Sequence, residues 1–253
     1  MADWITHLMI ADRLLARFPS LDARGFCVGS IAPDCNVESA DWTGYEPPKR
    51  VTHWMASDEK QPGDARRFLE GCLLPRRERI ASREELGFLL GYYAHLAADA
   101  RYGPMLRSPS RIAAAWARAL AQPDLAPLAR ELSPCWESIK ALLPKPTRRA
   151  ELARIGAEYL RAHPDSGYLR YILPLRSFPD YLDYLPPGAI ARKIGVMGGR
   201  PEANADVRLI SITLEETDDY VDAVVRALIP EIAGSLALDY PALTDGGNPE
   251  GGE

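Results

Sequence analysis

The chain has 253 residues, a formal net charge of −5 and 47% hydrophobic residues. That length supports a sizeable core in one domain, and that composition excludes a disordered or membrane-embedded chain. The acidic balance argues against a stable nucleic-acid partner, while leaving room for a local basic cluster that holds one phosphate group.

Taken in chain order, the pattern is helical almost throughout. The opening Met-Ala-Asp-Trp-Ile-Thr-His7 is not a secretory signal, and no run reaches the roughly 18 apolar residues of a spanning helix. A cytoplasmic protein without a transmembrane segment is the expectation. Residues 3–18 form an amphipathic helix with His7, Ile10, Leu14 and Phe18 on one stripe, stopped by Pro19. A short helix follows from Leu21 to about Ala32. Residues 33–60 read as irregular, broken by Pro33, Gly44 and Pro47-Pro48.

Helix resumes over 63–73. Ser82-Arg-Glu-Glu85 has the form of a capping box and starts a helix that Gly103-Pro104 ends. Residues 108–121, 127–143 and 147–162 predict three further helices, 179–184 and 189–194 two short ones, and 205–229 the last long one. No window alternates as a strand does. The expected architecture is all-α: one helical domain over 1–243 around a polar site between helices, then a disordered acidic tail over 244–253.

Cys27, Cys35, Cys72 and Cys135 form no CxxC pair, so buried free thiols are expected. Cys35 draws attention because it follows Asp34.

Functional interest centres on Gly87-Phe-Leu-Leu-Gly-Tyr-Tyr-Ala-His-Leu-Ala-Ala-Asp-Ala100. Helical spacing puts His95 and Asp99 on one face, one turn apart. Burying an imidazole and a carboxylate among apolar residues is costly unless a partner stabilises them, and a metal ion is such a partner. Two more of the four histidines are suggestive: His7 on the apolar stripe of the first helix, and His53 in Val51-Thr-His-Trp-Met55. Asp34 follows the rigid Pro33. Each has a plainer reading alone: a core histidine, a surface histidine, a turn aspartate, a buried hydrogen bond. Together, His7, Asp34, His53, His95 and Asp99 make a nitrogen and oxygen donor set suited to Zn, with Mn or Fe as alternatives.

The same residues resemble the zinc-dependent phospholipase C family and its related single-strand nucleases. Thr6-His-Leu-Met-Ile-Ala-Asp-Arg-Leu14 is similar to that family's opening segment with its metal-binding histidine. Phe26-Cys-Val-Gly-Ser-Ile-Ala-Pro-Asp34 is similar to the segment that supplies an aspartate to the metal centre. Val51-Thr-His53 resembles the next ligand, and Gly91-Tyr-Tyr-Ala-His-Leu-Ala-Ala-Asp99 the His-x-x-x-Asp helix whose aspartate bridges two ions. The resemblance covers roughly residues 4–105. It implies the phospholipase C and nuclease type of helical fold and a hydrolase of phosphate esters, phosphodiesters above all, acting through an activated water. Asp34 would be a ligand or the general base. Trp4 is not a terminal ligand, Met105 stands where the family places a further histidine, and the later His-x-x-x-Glu pair is missing. One or two ions are therefore implied rather than three, in a shorter intracellular bacterial branch.

Around this set, Glu216 and Asp219 in Glu215-Glu-Thr-Asp-Asp219 are candidates for a further ion, against the plainer reading of a solvated face. Arg50, Arg101, Arg192 and Lys193 are candidate phosphate anchors. Trp42, Tyr45, Trp54, Tyr92 and Tyr102 are candidates for an apolar pocket wall, and His163 for a surface or capping residue. The substrate is a small-molecule or lipid phosphate ester; oligomeric state is not legible. The rival readings are an iron-dependent oxygenase on the same donors, and a helical binding module that a metal merely stabilises.

Overall fold

Asp3 starts the first helix because its carboxylate accepts the Thr6 amide at 2.9 Å, satisfying a donor that has no partner within the helix. That helix, α1 (Trp4–Arg17), buries His7, Ile10 and Leu14 on one side. Asp22 caps α2 (Ala23–Gly29) through the Gly25 amide at 2.6 Å. Pro33 then occupies a single 3-10 turn, Ala32–Asp34, where the chain leaves the helix direction. The computed structural model describes residues 3–39, 43–57, 62–202 and 204–243. Trp42 and the tail 244–253 lie outside the described residues.

A minimal antiparallel ladder follows, β1 (Val37–Glu38) against β2 (Tyr45–Glu46), with Val37 opposite Glu46 and Glu38 opposite Tyr45. Two residues a side are too few for alternation to show in sequence. Single turns form α3 (Lys49–Thr52) and α4 (Ala65–Phe68). After a wide π turn at Leu69–Leu73 come α5 (Leu74–Arg76) and a 3-10 turn at Arg77–Arg79. The long α6 (Arg83–Leu106) is the central element. Then come α7 (Pro109–Leu120), α8 (Ala126–Glu131), α9 (Trp136–Leu142) and α10 (Lys145–Ala162). A π turn at Tyr168–Ile172 leads to α11 (Ala189–Met197) and α12 (Leu214–Leu236). Helix accounts for 64% of the structure and strand for 2%, so the molecule is all-α.

Several boundaries differ from the sequence expectation, each for a local reason. The helix expected over 127–143 is two helices. Pro134 lacks an amide and disfavours helical geometry at Ser133, and Leu132 and Cys135 are extended. The last helix begins at Leu214 rather than 205, because the amides of Ile210 and Ser211 are given to the buried carboxylate of Glu151 on α10. It also runs through Pro230, since Leu228 and Ile232 are fully buried and their packing offsets the lost bond. Pro104 likewise lies inside α6. Residues 179–184 are not helical; nearby carbonyls are taken by arginines, Ser177 by Arg24 and Tyr181 by Arg76. At the start of α6, Ser82 accepts the Glu85 amide at 3.1 Å, but Glu85 reaches the Ala81 amide rather than that of Ser82. The complete capping box is Thr213 with Glu216.

The main core gathers α1, α2, α6 and α12, and a smaller apolar cluster joins α7, α8 and α9 to Ile210; Leu106 packs against both. The contact that positions the site is α2 on α6. A Cβ at Gly91 would overlap the Phe26 carbonyl oxygen, and one at Gly29 would overlap that of Phe88. Only glycine allows the two backbones to come this close.

Candidate metal centre

Four chain segments deliver five side chains to one place. His7 comes from the buried face of α1, and Asp34 from the 3-10 turn after α2. His53 is the residue that closes α3, and α6 supplies both His95 and Asp99. The His7 Nε2 lies 3.5 Å from Asp99 Oδ1, and the His53 Nε2 lies 3.5 Å from Asp34 Oδ1 and 3.7 Å from Asp99 Oδ2. His95 Nε2 is 3.9 Å from Asp99 Oδ2. The rings of His7 and His95 stack at 3.8 Å between centroids, and that of His53 meets His95 edge-on at 5.4 Å. Two sets have mutually close donor atoms: His7, His95 and Asp99, and Asp34, His53 and His95.

These separations are too long for good hydrogen bonds. They suit donors around a shared ion: two ligands each about 2.1 Å from zinc, at a tetrahedral angle, stand about 3.4 Å apart. The Nε2 atoms of all three histidines, and Nδ1 of His7, are buried without a hydrogen-bond partner. Orphaned buried nitrogens are rare because each costs about 1–3 kcal/mol. The donor set thus fits a divalent cation.

The Nδ1 atoms of His95 and His53 have partners on the outer side. His95 Nδ1 lies 2.8 Å from the Ser30 carbonyl, which can only accept, so the proton sits on Nδ1 and the Nε2 lone pair faces the cluster. His53 Nδ1 lies 3.0 Å from the Thr52 hydroxyl. Charge is set by the same neighbours. Burial pushes the His95 pKa down to about 3, with His7 adding to the effect against the two aspartates. Burial opposes ionisation of Asp34, but nearby His53 and His95 outweigh it and hold the carboxyl at about 2. Burial also opposes ionisation of Asp99, and is likewise outweighed by His7 and His95, which hold its carboxyl far below the usual range. Neutral His95 and ionised aspartates are the forms that ligate metals.

Access is uneven. The side chains of His7, His53, His95 and Asp99 are 0–3% exposed, whereas that of Asp34 is 18% exposed. The cluster therefore meets solvent at Asp34. None of the five donors lines the cleft of about 370 Å³ walled by Gly63, Tyr93, Ala97, Arg101 and Glu231. Ala97 lies about 200° round α6 from His95, on the opposite face.

The other candidates are placed elsewhere. Glu216 is held by Arg111 and Arg118 and caps α12, and Asp219 is exposed; neither joins the donor sets. Lys193 is buried and donates to Glu38 at 2.5 Å, and Arg192 lies 3.7 Å from the same carboxylate. Arg101 donates to the Ala97 carbonyl and faces Glu231 at 3.7 Å, while Arg50 is exposed on α3. Tyr92 and Tyr102 are core residues and Tyr45 is exposed. Trp54, in a left-handed conformation at φ 55°, packs on Phe68 and Tyr184. Cys35 is buried and donates to the Ile31 carbonyl, outside the donor sets. His163 closes α10, its ring nitrogen on the Tyr159 carbonyl. Sequence reasoning missed Ser30, which acts through its main chain and leaves no signal, and Thr52, whose place beside His53 was a signal.

Fold and site together define an all-α protein with a buried histidine and aspartate cluster suited to a metal. No protein-family description, curated protein or solved structure matches the chain, so the functional reading rests on this geometry and on the residue pattern.

Proposed function

We propose that the protein is a metal-dependent hydrolase of phosphate esters, with a phosphodiester as its substrate class and one or two zinc ions as its cofactor. The observation that carries this reading is the convergence of three imidazoles and two aspartates with their Nε2 atoms buried and unpaired. The ordered likeness of residues 4–105 to the phospholipase C type of metallohydrolase supports both the chemistry and that fold type.

Asp34, His53 and His95 would hold the primary ion together with Asp99, and His7 with Asp99 a second. A divalent cation bound there supplies Lewis acidity, lowering the pKa of a water and drawing charge from the phosphoryl oxygens. The chain does the rest. Asp99, between His7, His53 and His95, offers a different oxygen to each side of the cluster. Asp34, the one ligand that meets solvent, is placed to orient an entering water or take its proton. The enclosing core residues keep bulk water from the other side.

The test is elemental analysis of the purified protein followed by a panel of phosphodiesters. Zinc at one or two equivalents with hydrolysis of a phosphodiester is expected. In His95→Ala, metal content and turnover should fall together, turnover by at least about a hundredfold. Full activity in a metal-free His95→Ala protein would end the proposal, and stoichiometric iron with oxygen consumption would replace it with an oxygenase.

A further inference from the structure

His53 differs from His95 in how its ring is held. His95 is fixed by a main-chain carbonyl, whereas His53 leans on a side chain, the Thr52 hydroxyl at 3.0 Å from Nδ1. Thr52 is fully buried and is itself positioned twice. Its hydroxyl donates to the Lys49 carbonyl at 3.3 Å, and its own carbonyl accepts from the Tyr92 hydroxyl on α6. A hydroxyl has one proton. With that proton committed to Lys49, the oxygen is left to accept from His53 Nδ1–H, and the Nε2 lone pair then points at Asp34 and Asp99.

We infer that Thr52 is a positioning residue that sets the tautomer and ring orientation of His53, and that Tyr92 ties this support to the same helix that carries His95 and Asp99. The inference rests on the metal reading of the cluster and adds a residue to it. Without the hydroxyl, the His53 proton has no acceptor on the outer side, and the Nε2–H tautomer, which cannot ligate, gains ground. Partners of this kind are worth about tenfold to a hundredfold in metal affinity.

The experiment compares the full-length wild type with Thr52→Val, close to isosteric but without the acceptor, and Thr52→Ser, which keeps it. Zn²⁺ affinity is read by competition with a chromogenic chelator, and folding by circular dichroism. Thr52→Val should bind Zn²⁺ tenfold to a hundredfold more weakly, and Thr52→Ser within about threefold of wild type. Wild-type affinity in a folded Thr52→Val overturns the inference while leaving the metal reading intact, and equal losses in Val and Ser variants overturn it as well. A wild type that binds no Zn²⁺ overturns both. Should Thr52→Val not fold, imidazole nitrogen NMR of the Zn²⁺-loaded wild type decides: a proton on Nδ1 of His53 supports the role, and one on Nε2 refutes it.

Discussion

Glu216 shows how a residue whose type suggests one role can be committed to another. Its carboxylate accepts the Thr213 amide at 2.8 Å and pairs with Arg111 and Arg118, so no charge remains for an ion. Burial opposes its ionisation, but the arginines and the cap outweigh it, and its pKa is lowered in the folded protein. A lowered folded value means that its share of stability is fully present above the unfolded pKa of about 4.5 and drains as pH falls through the folded value. Glu216→Gln should therefore cost about 2 kcal/mol at neutral pH, with the gap to wild type narrowing as the solution is acidified below the unfolded pKa, as measured by urea unfolding at several pH values. A gap that does not change with pH would show that the ionised form is not what stabilises α12.

At the scale of elements, the seam between α2 and α6 holds the site in register. Gly91 approaches the backbone of α2 at Phe26, and Ser30 at the end of α2 presents its carbonyl to His95. Gly91→Ala should force these helices apart and cost about 2–3 kcal/mol in urea unfolding. Gly195→Ala, in α11 with open space around the position, should be neutral or stabilising by under about 1 kcal/mol. Equal effects at the two positions would remove the seam from the account. Much of the candidate site was legible because residues 87–100 of α6 carry no acidic, basic or imidazole side chain except His95 and Asp99, because His7 lies on the apolar stripe of α1, and because Asp34 follows the rigid Pro33. Helix ends were less legible. The split at Pro134 has a cause in the sequence, although the apolar period continues past it. The start at Leu214 has a local sign, the Thr213-Leu-Glu-Glu216 capping box, but the carboxylate that captures the Ile210 and Ser211 amides is Glu151, about sixty positions earlier. Glu38 and Lys193 pair across a still greater separation.

For the whole molecule, an ion at the cluster would join α1, the 3-10 turn after α2, the end of α3 and α6, segments from His7 to Asp99, into one cross-linked unit. Binding only the folded state, Zn²⁺ at about a hundredfold over its dissociation constant adds about 2.7 kcal/mol. For a chain of this size that is roughly 5–10 °C in Tm. Scanning calorimetry of chelator-stripped protein with and without Zn²⁺ reads this directly, and coincident melts would count against occupancy. The exposure of Asp34, alone among the five donors, has a wider meaning. Four of the five donors are enclosed, whereas Asp34 sits on a single 3-10 turn. With a cation in the cluster, that turn would be where substitutions alter what reaches the ion while the helices behind it stay as they are.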